Sequence, residues 1–360
     1  MALPPHLDTT SPPTIGITMK LPTPALIALP TTVALLLAAC GSDSPTTDGT
    51  ENESAGASPQ RSATLVLDWT PNTNHSGIYI ADAEGFYDDV GIDINIIQPG
   101  ETGSLQAVGT GNAEFGISVQ EALIPARAAE LPAVSIAAIL EKNTSSLIAL
   151  EESGIASPAD LEGKRYGGFG GQLETALIDT LVECDGGDPT AVDTIEVGNT
   201  DYRVGLERGD FDFVWVFEGW DKIRLEQAGV DVVSIPFIDY EDCIPNWYTP
   251  LIVTSESLIN NDPDLVRDFV EATARGYRVA IDDPETAANH LLEAAPELDE
   301  QLVRASAEYL SSRYAANPAA WGQQDPATWI AFNSFITSAG LIDTGIDVDA
   351  AYTNEFLPEQ

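Results

Sequence analysis

Apolar and polar positions alternate in short blocks from residue 63 onward. Residues 63–67 form a short apolar run that reads as a first strand. Ile92, Ile94 and Ile96 alternate with polar residues at the period of two that a strand requires. Residues 115–117, 134–140 and 147–150 predict three further buried strands. Helices are expected between them over residues 75–84, stopped by Gly85, over a short stretch ending near Gly109, and over 118–129. A second alternating block covers 157–236. Its strands are expected at 164–166, 195–197, 211–217 and 230–235, and its helices at 172–184, 201–208 and 218–228. After one more strand at 251–254 the pattern turns helical: 265–281, 284–293, 300–313 and 327–339.

Strand and helix alternate twice, so the fold class is α/β, with two lobes that each hold a mostly parallel sheet. The helical tail has no sheet of its own and is expected to pack on the first lobe. Lobe 1 then comprises 63–150 plus 250–360, and lobe 2 comprises 151–249. The chain crosses between them twice, near 145–157 and near 243–250, and two crossings make a hinge.

The first 62 residues lack this pattern. Residues 21–39 are uncharged and rich in Leu, Ala, Pro and Thr, with Met19-Lys20 before them and Leu37-Ala38-Ala39-Cys40 at their end. This predicts a signal peptide over 1–39, with 1–18 an upstream extension, and lipidation of Cys40. Residues 41–62 are a polar tether with no apolar run. The chain is thus expected outside the cytoplasmic membrane, held there by lipid. Cys184 and Cys243 remain after Cys40 and are expected to pair in an oxidising compartment.

Charge narrows the partners. The formal charge is -42 over 360 residues, and only Lys142, Lys164 and Lys222 follow Cys40 among lysines. Such a field repels nucleic acid and anionic lipid head groups. The acids are scattered rather than gathered in a tail, as on a surface suited to high salt. No metal-ligand spacing occurs, and only His75 and His290 follow Cys40 among histidines, so no metal is expected.

Chemistry-bearing residues gather where strands end. Asp68, Trp69, Asn72 and His75 follow the first strand, in the place where open α/β sheets bind ligands. Ser118 and Gln120 follow the third strand, Gly168, Phe169 and Gly170 lie in a glycine-rich turn, and Glu218 and Trp220 follow the most apolar strand. Tyr248 lies on the return crossing. The turn lacks the Lys and Ser/Thr of a nucleotide-binding loop. With Arg203 the only base close by, the set suits a flat neutral or weakly basic ring rather than an oxyanion. No nucleophile elbow is present, so the expectation is a binding protein without a cofactor.

The opening stretch Asp68-Trp69-x-Pro71-Asn72-x-Asn74-His75-x-Gly77-Ile78-Tyr79, with Gly85-Phe86-Tyr87 and Gly91-Ile92-Asp93-Ile94, resembles the thiamine-pyrimidine branch of the type II periplasmic binding proteins. The resemblance continues through Gly116-Ile117-Ser118, Gly168-Phe169-Gly170, Tyr248-Thr249-Pro250 and 352–357. It implies an importer's ligand-binding lipoprotein that acts as a monomer, takes formylaminopyrimidine or hydroxymethylpyrimidine, and hands it to an ABC permease and its ATPase. Riboflavin-binding relatives share the motif, and nitrate, sulfonate and taurine binders share the fold. A fungal pyrimidine synthase is also related. Its pyridoxal-phosphate lysine and nearby histidine align with Ser118 and Ala122, and its cysteine-rich iron loop with 241–248, where only Cys243 is a cysteine. The resemblance therefore argues against that enzyme. It implies that Asn72 and Glu218 read the ring's edge, while Trp69 and either Trp220 or Tyr248 cover its faces.

Overall fold

A computed structural model describes residues 60–198 and 200–359. The expected signal peptide, Cys40 and nearly all of the tether lie outside the described residues. Ten strands fall in chain order: β1 (Arg61–Val66), β2 (Ile92–Ile97), β3 (Phe115–Ser118), β4 (Ala133–Ala138), β5 (Ser145–Leu150), β6 (Arg165–Gly168), β7 (Asp193–Glu196), β8 (Phe213–Phe217), β9 (Val232–Pro236) and β10 (Leu251–Ser255). They form two five-stranded sheets of matching order, β2-β1-β3-β10-β4 and β7-β6-β8-β5-β9. In each sheet four strands run one way and one runs against them.

The reversed strand is in each case the one that has just arrived from the other lobe. β10 pairs antiparallel with β3 and β4. β5 pairs antiparallel with β8 and β9, so residues 145–150 belong to the second sheet although the pattern assigned them to the first lobe. The pattern could not decide this. β5 is buried along nearly its whole length, and such a run reads the same in either sheet. The crossings therefore lie between β4 and β5 and between β9 and β10. They are laced together where Asn143 N donates to Asn246 Oδ1 at 3.0 Å and Ile139 N donates to Pro250 O at 3.1 Å.

The helical tail packs on the first sheet. Its longest element, Pro263–Asp282, starts with Asp262 accepting from Leu265 N at 3.0 Å and with proline in the first turn. Leu265, Phe269, Val270, Thr273, Ala274, Tyr277 and Ala280 recur at helical spacing and are all buried. This face lies against the Ser76–Ala83 helix, and two glycines set the approach. A Cβ on Gly276 would sit 1.9 Å from the Gly77 carbonyl oxygen, and one on Gly77 would sit 2.3 Å from the Tyr277 ring. In lobe 2, Cys184 ends the Gln172–Cys184 helix and is bonded to Cys243, their Cα atoms 6.0 Å apart.

Adding one methyl group at this contact forces two backbones apart. Gly276→Ala should destabilise the fold by about 2–3 kcal/mol. Urea unfolding would show this as a lowered midpoint, and an unchanged midpoint would contradict the close approach.

Candidate functional site

The loop after β1 is a rigid platform. Asn72 caps the turn, its Oδ1 accepting from Asn74 N at 2.9 Å and its Nδ2 donating to Thr70 O at 3.0 Å. One amide hydrogen of Asn72 remains unengaged among the described residues. His75 is fully buried. Its Nδ1 accepts from Asn72 N at 3.3 Å, which puts the ring hydrogen on Nε2, and Nε2 donates to Asp68 Oδ1 at 2.8 Å. The expected ligand contact at His75 is therefore corrected: both ring nitrogens are used to hold the loop and aim Asp68. Trp69, by contrast, is 56% exposed.

The glycine-rich turn after β6 is the counterpart in the second lobe, because β1 and β6 occupy the same place in their sheets. Gly168 is required where the Tyr166 ring would lie 2.3 Å from a Cβ. Phe169, like Trp69, projects outward and is 53% exposed. The turn's N–H groups do not face outward. Phe169 N lies 3.1 Å and Gly171 N 2.8 Å from Glu174 Oε2, and Tyr166 OH donates to Glu174 Oε1 at 2.9 Å.

At the end of β8, Glu218 accepts from Ser234 Oγ and, at 2.9 Å, from Tyr309 OH. Tyr309 lies on the Glu300–Tyr314 helix of the tail, so this bond joins second-lobe strand to first-lobe helix. One turn earlier, Ser306 donates to Gly219 O and bonds the Thr73 hydroxyl. Trp220 is half-buried against the first-lobe core, which makes it a contact between lobes. Glu218 and Tyr309 open on a pocket of about 440 Å³, lined also by Lys142, Asn143, Asp239 and Arg313. Arg313 stacks 3.6 Å from the centre of the Tyr309 ring. Burial and the neighbouring Glu218 raise the Tyr309 phenol above its usual pKa.

Tyr248 is corrected as well. It is 4% exposed, its OH accepts from Asp325 N at 2.7 Å, and its ring packs near Trp329, so it belongs to the core. Ser118 is buried at the end of β3. Gln120 Oε1 accepts from Tyr248 N at 2.8 Å and ties β3 to the return crossing. Around this tie, buried polar atoms have no hydrogen-bond partner among the described residues: Gln120 Nε2, Glu121 Oε2, Trp247 Nε1 and Thr249 Oγ1. Trp247 and Thr249 lie close enough to Glu121 to lower its pKa but not in hydrogen-bonding geometry. Burial outweighs them, and with Asp68 adding repulsion the carboxyl is pushed up from 4.5 to about 8. Trp247 and Thr249 are thus polar groups of the site region that pattern did not select.

Comparison with known proteins places these features in context. The family model described as NMT1/THI5 like matches residues 72–287. The chain is 28% identical over 300 residues to the 4-amino-5-hydroxymethyl-2-methylpyrimidine phosphate synthase of Legionella pneumophila, covering 82% of this chain and 92% of that protein. It is 25% identical over 296 residues to the formylaminopyrimidine-binding protein of Halalkalibacterium halodurans, covering 81% and 89%. Among solved structures, the periplasmic aliphatic sulphonate binding protein of Escherichia coli superposes with a TM-score of 0.65 at 13% identity, over 84% of this chain and 95% of that one. The periplasmic-binding-protein fold expected from the sequence is the fold observed.

The raised Glu121 pKa has a consequence for stability. The folded chain holds this proton more tightly than the unfolded chain, so its contribution is complete below the unfolded value. It is lost as pH rises through 4.5 toward about 8. Glu121→Gln cannot ionise and escapes that loss. Melting temperatures from about pH 5 to about pH 9 should shift in the variant's favour relative to wild type as pH rises. A difference that stays constant with pH would contradict this account of Glu121.

Proposed function

The chain belongs to the NMT1/THI5-like family, and on that premise we propose that it is the extracytoplasmic ligand-binding lipoprotein of an ABC importer. It captures a thiamine pyrimidine precursor of the formylaminopyrimidine or hydroxymethylpyrimidine type between its lobes. The single observation that carries this reading is the pair of exposed aromatics, Trp69 and Phe169, on matching loops at the carboxyl ends of β1 and β6. Large apolar rings are exposed at ligand sites because a ligand, not the protein, covers them. Phe169 thus takes the face-covering role first given to Trp220 or Tyr248. Asn72 and Glu218 present amide and carboxylate groups from the two lobes, a set that matches the donors and acceptors on an aminopyrimidine edge.

The Legionella relative's name brings a second reading, a pyrimidine phosphate synthase. The residues here do not fit the pyridoxal phosphate and iron of that chemistry. By the resemblance, Ser118 and Ala122 take the lysine and histidine positions. Lys164 Nζ donates to Ser153 O at 2.9 Å, Lys222 Nζ pairs with Glu226 at 3.0 Å, and Lys142, which lines the pocket beside Glu218, is not at the position the resemblance gives the synthase's lysine. The one cysteine of the candidate iron loop, Cys243, is bonded to Cys184. A capture protein needs none of these groups. Export and attachment through Cys40 complete the proposal, since a captured ligand must be released beside a permease.

Calorimetric titration with formylaminopyrimidine, hydroxymethylpyrimidine, riboflavin, taurine and nitrate tests the reading. One of the two pyrimidines should bind most tightly. Trp69→Ala and Phe169→Ala should each weaken that binding by about 2–10-fold, the loss of one stacked face. Preference for taurine or nitrate, or unchanged affinity in both variants, would overturn it.

A further inference from the structure

The glycine-rich turn after β6 has the makings of an anion site. Gly170 adopts the left-handed region, with φ of 78°, between two residues whose N–H groups point to one spot. Successive backbone N–H groups in such a turn form a concavity that binds phosphate or carboxylate. In this chain the concavity is filled from within. Glu174, the third residue of the Gln172–Cys184 helix, reaches back so that Oε2 meets Phe169 N at 3.1 Å and Gly171 N at 2.8 Å. Its other oxygen also lies 3.2 Å from Phe169 N and accepts from Tyr166 OH at 2.9 Å. The residue is only 9% exposed.

We propose that Glu174 is a resident anion which closes this turn to phosphate and sulfonate groups and so restricts the cleft to ligands without them. The inference rests on the reading of the cleft as a ligand site and adds the reason for its ligand class. Two effects act together. The donors an oxyanion would use are already engaged. An arriving oxyanion would also meet a buried like charge, and displacing that carboxylate would strand it away from water and its partners. Arg203, on the helix after β7, is already paired: its Nε donates to Glu207 at 3.1 Å. The turn therefore keeps its shape and presents Phe169, while the negative charge a sulfonate would bring is already in place. A carboxylate that served only to cap the helix would stabilise the fold without affecting which anions bind.

The experiment measures binding of inorganic phosphate and methanesulfonate by calorimetry and by thermal shift. It compares wild type, Glu174→Ala, Glu174→Gln and, as a control of equal net charge, Glu183→Gln, an exposed acid on the same helix. Wild type and Glu183→Gln should bind neither anion measurably at millimolar concentration. Glu174→Ala should gain at least about tenfold in affinity for one of them. Glu174→Gln keeps an acceptor for Tyr166 and the cap while losing the charge, and should show a smaller gain; it carries the test alone if the alanine variant does not fold. The proposal is overturned if a folded Glu174 variant binds no better than wild type. It is equally overturned if wild type binds either anion as well as the variants, or if Glu183→Gln gains as much. Failure of wild type to bind any heterocycle would count against the proposed function but would leave this comparison intact.

Discussion

The mouth of the cleft depends on the approach of two helices at Gly77 and Gly276. With no side chain at either position, Pro263–Asp282 lies close enough to the Ser76–Ala83 helix for Tyr277 to slide over Gly77. Tyr277 OH then donates to Asn74 O at 2.7 Å, and Tyr314 OH donates to Thr73 O. Both tyrosines are buried, and Tyr277 is stacked 4.2 Å from the Trp321 ring centre. Two desolvated hydroxyls thus fix consecutive carbonyls of the loop that carries Trp69. A loop held this way gives up little further entropy when a ligand arrives, which is how preorganisation raises affinity.

The same tail also reaches the second lobe. Along the Glu300–Tyr314 helix, Ser306 touches both Thr73 and Gly219, and Tyr309 meets Glu218. A further bond runs from Gln227 Nε2 to Gln301 O at 3.1 Å. The lobes are therefore joined by the two laced crossings and by one helix side. A pivot about that side would keep these contacts while changing the gap between the loops after β1 and β6. Ligand binding would favour the narrower gap to the extent that it contacts both loops.

Much of this was legible in the residues. Caps and glycines gave the helix limits well: Gln172–Cys184 matches, Asp201 caps Tyr202–Arg208, and Gly85 stops the first helix. What was not legible is informative. The sheet to which β5 belongs was hidden because a strand buried on both faces has no periodic mark. Tyr248 and His75 carry polar atoms that a linear reading assigns to ligand, whereas Asp325 N, Asn72 N and Asp68 already take them. Glu174 was hidden in a helix, where an acid in the first turn is unremarkable until the hydrogen bonds show it filling the preceding turn. Local pattern reports the element; only the fold reports which donors and acceptors remain free.

The most direct test of the central claim, that the two lobes close on a neutral heterocycle, is the radius of gyration from small-angle X-ray scattering with and without saturating formylaminopyrimidine. The account predicts a smaller radius with the pyrimidine and no change with phosphate or taurine. A radius unaltered by the pyrimidine while calorimetry shows it bound, or a decrease with either anion, would contradict it.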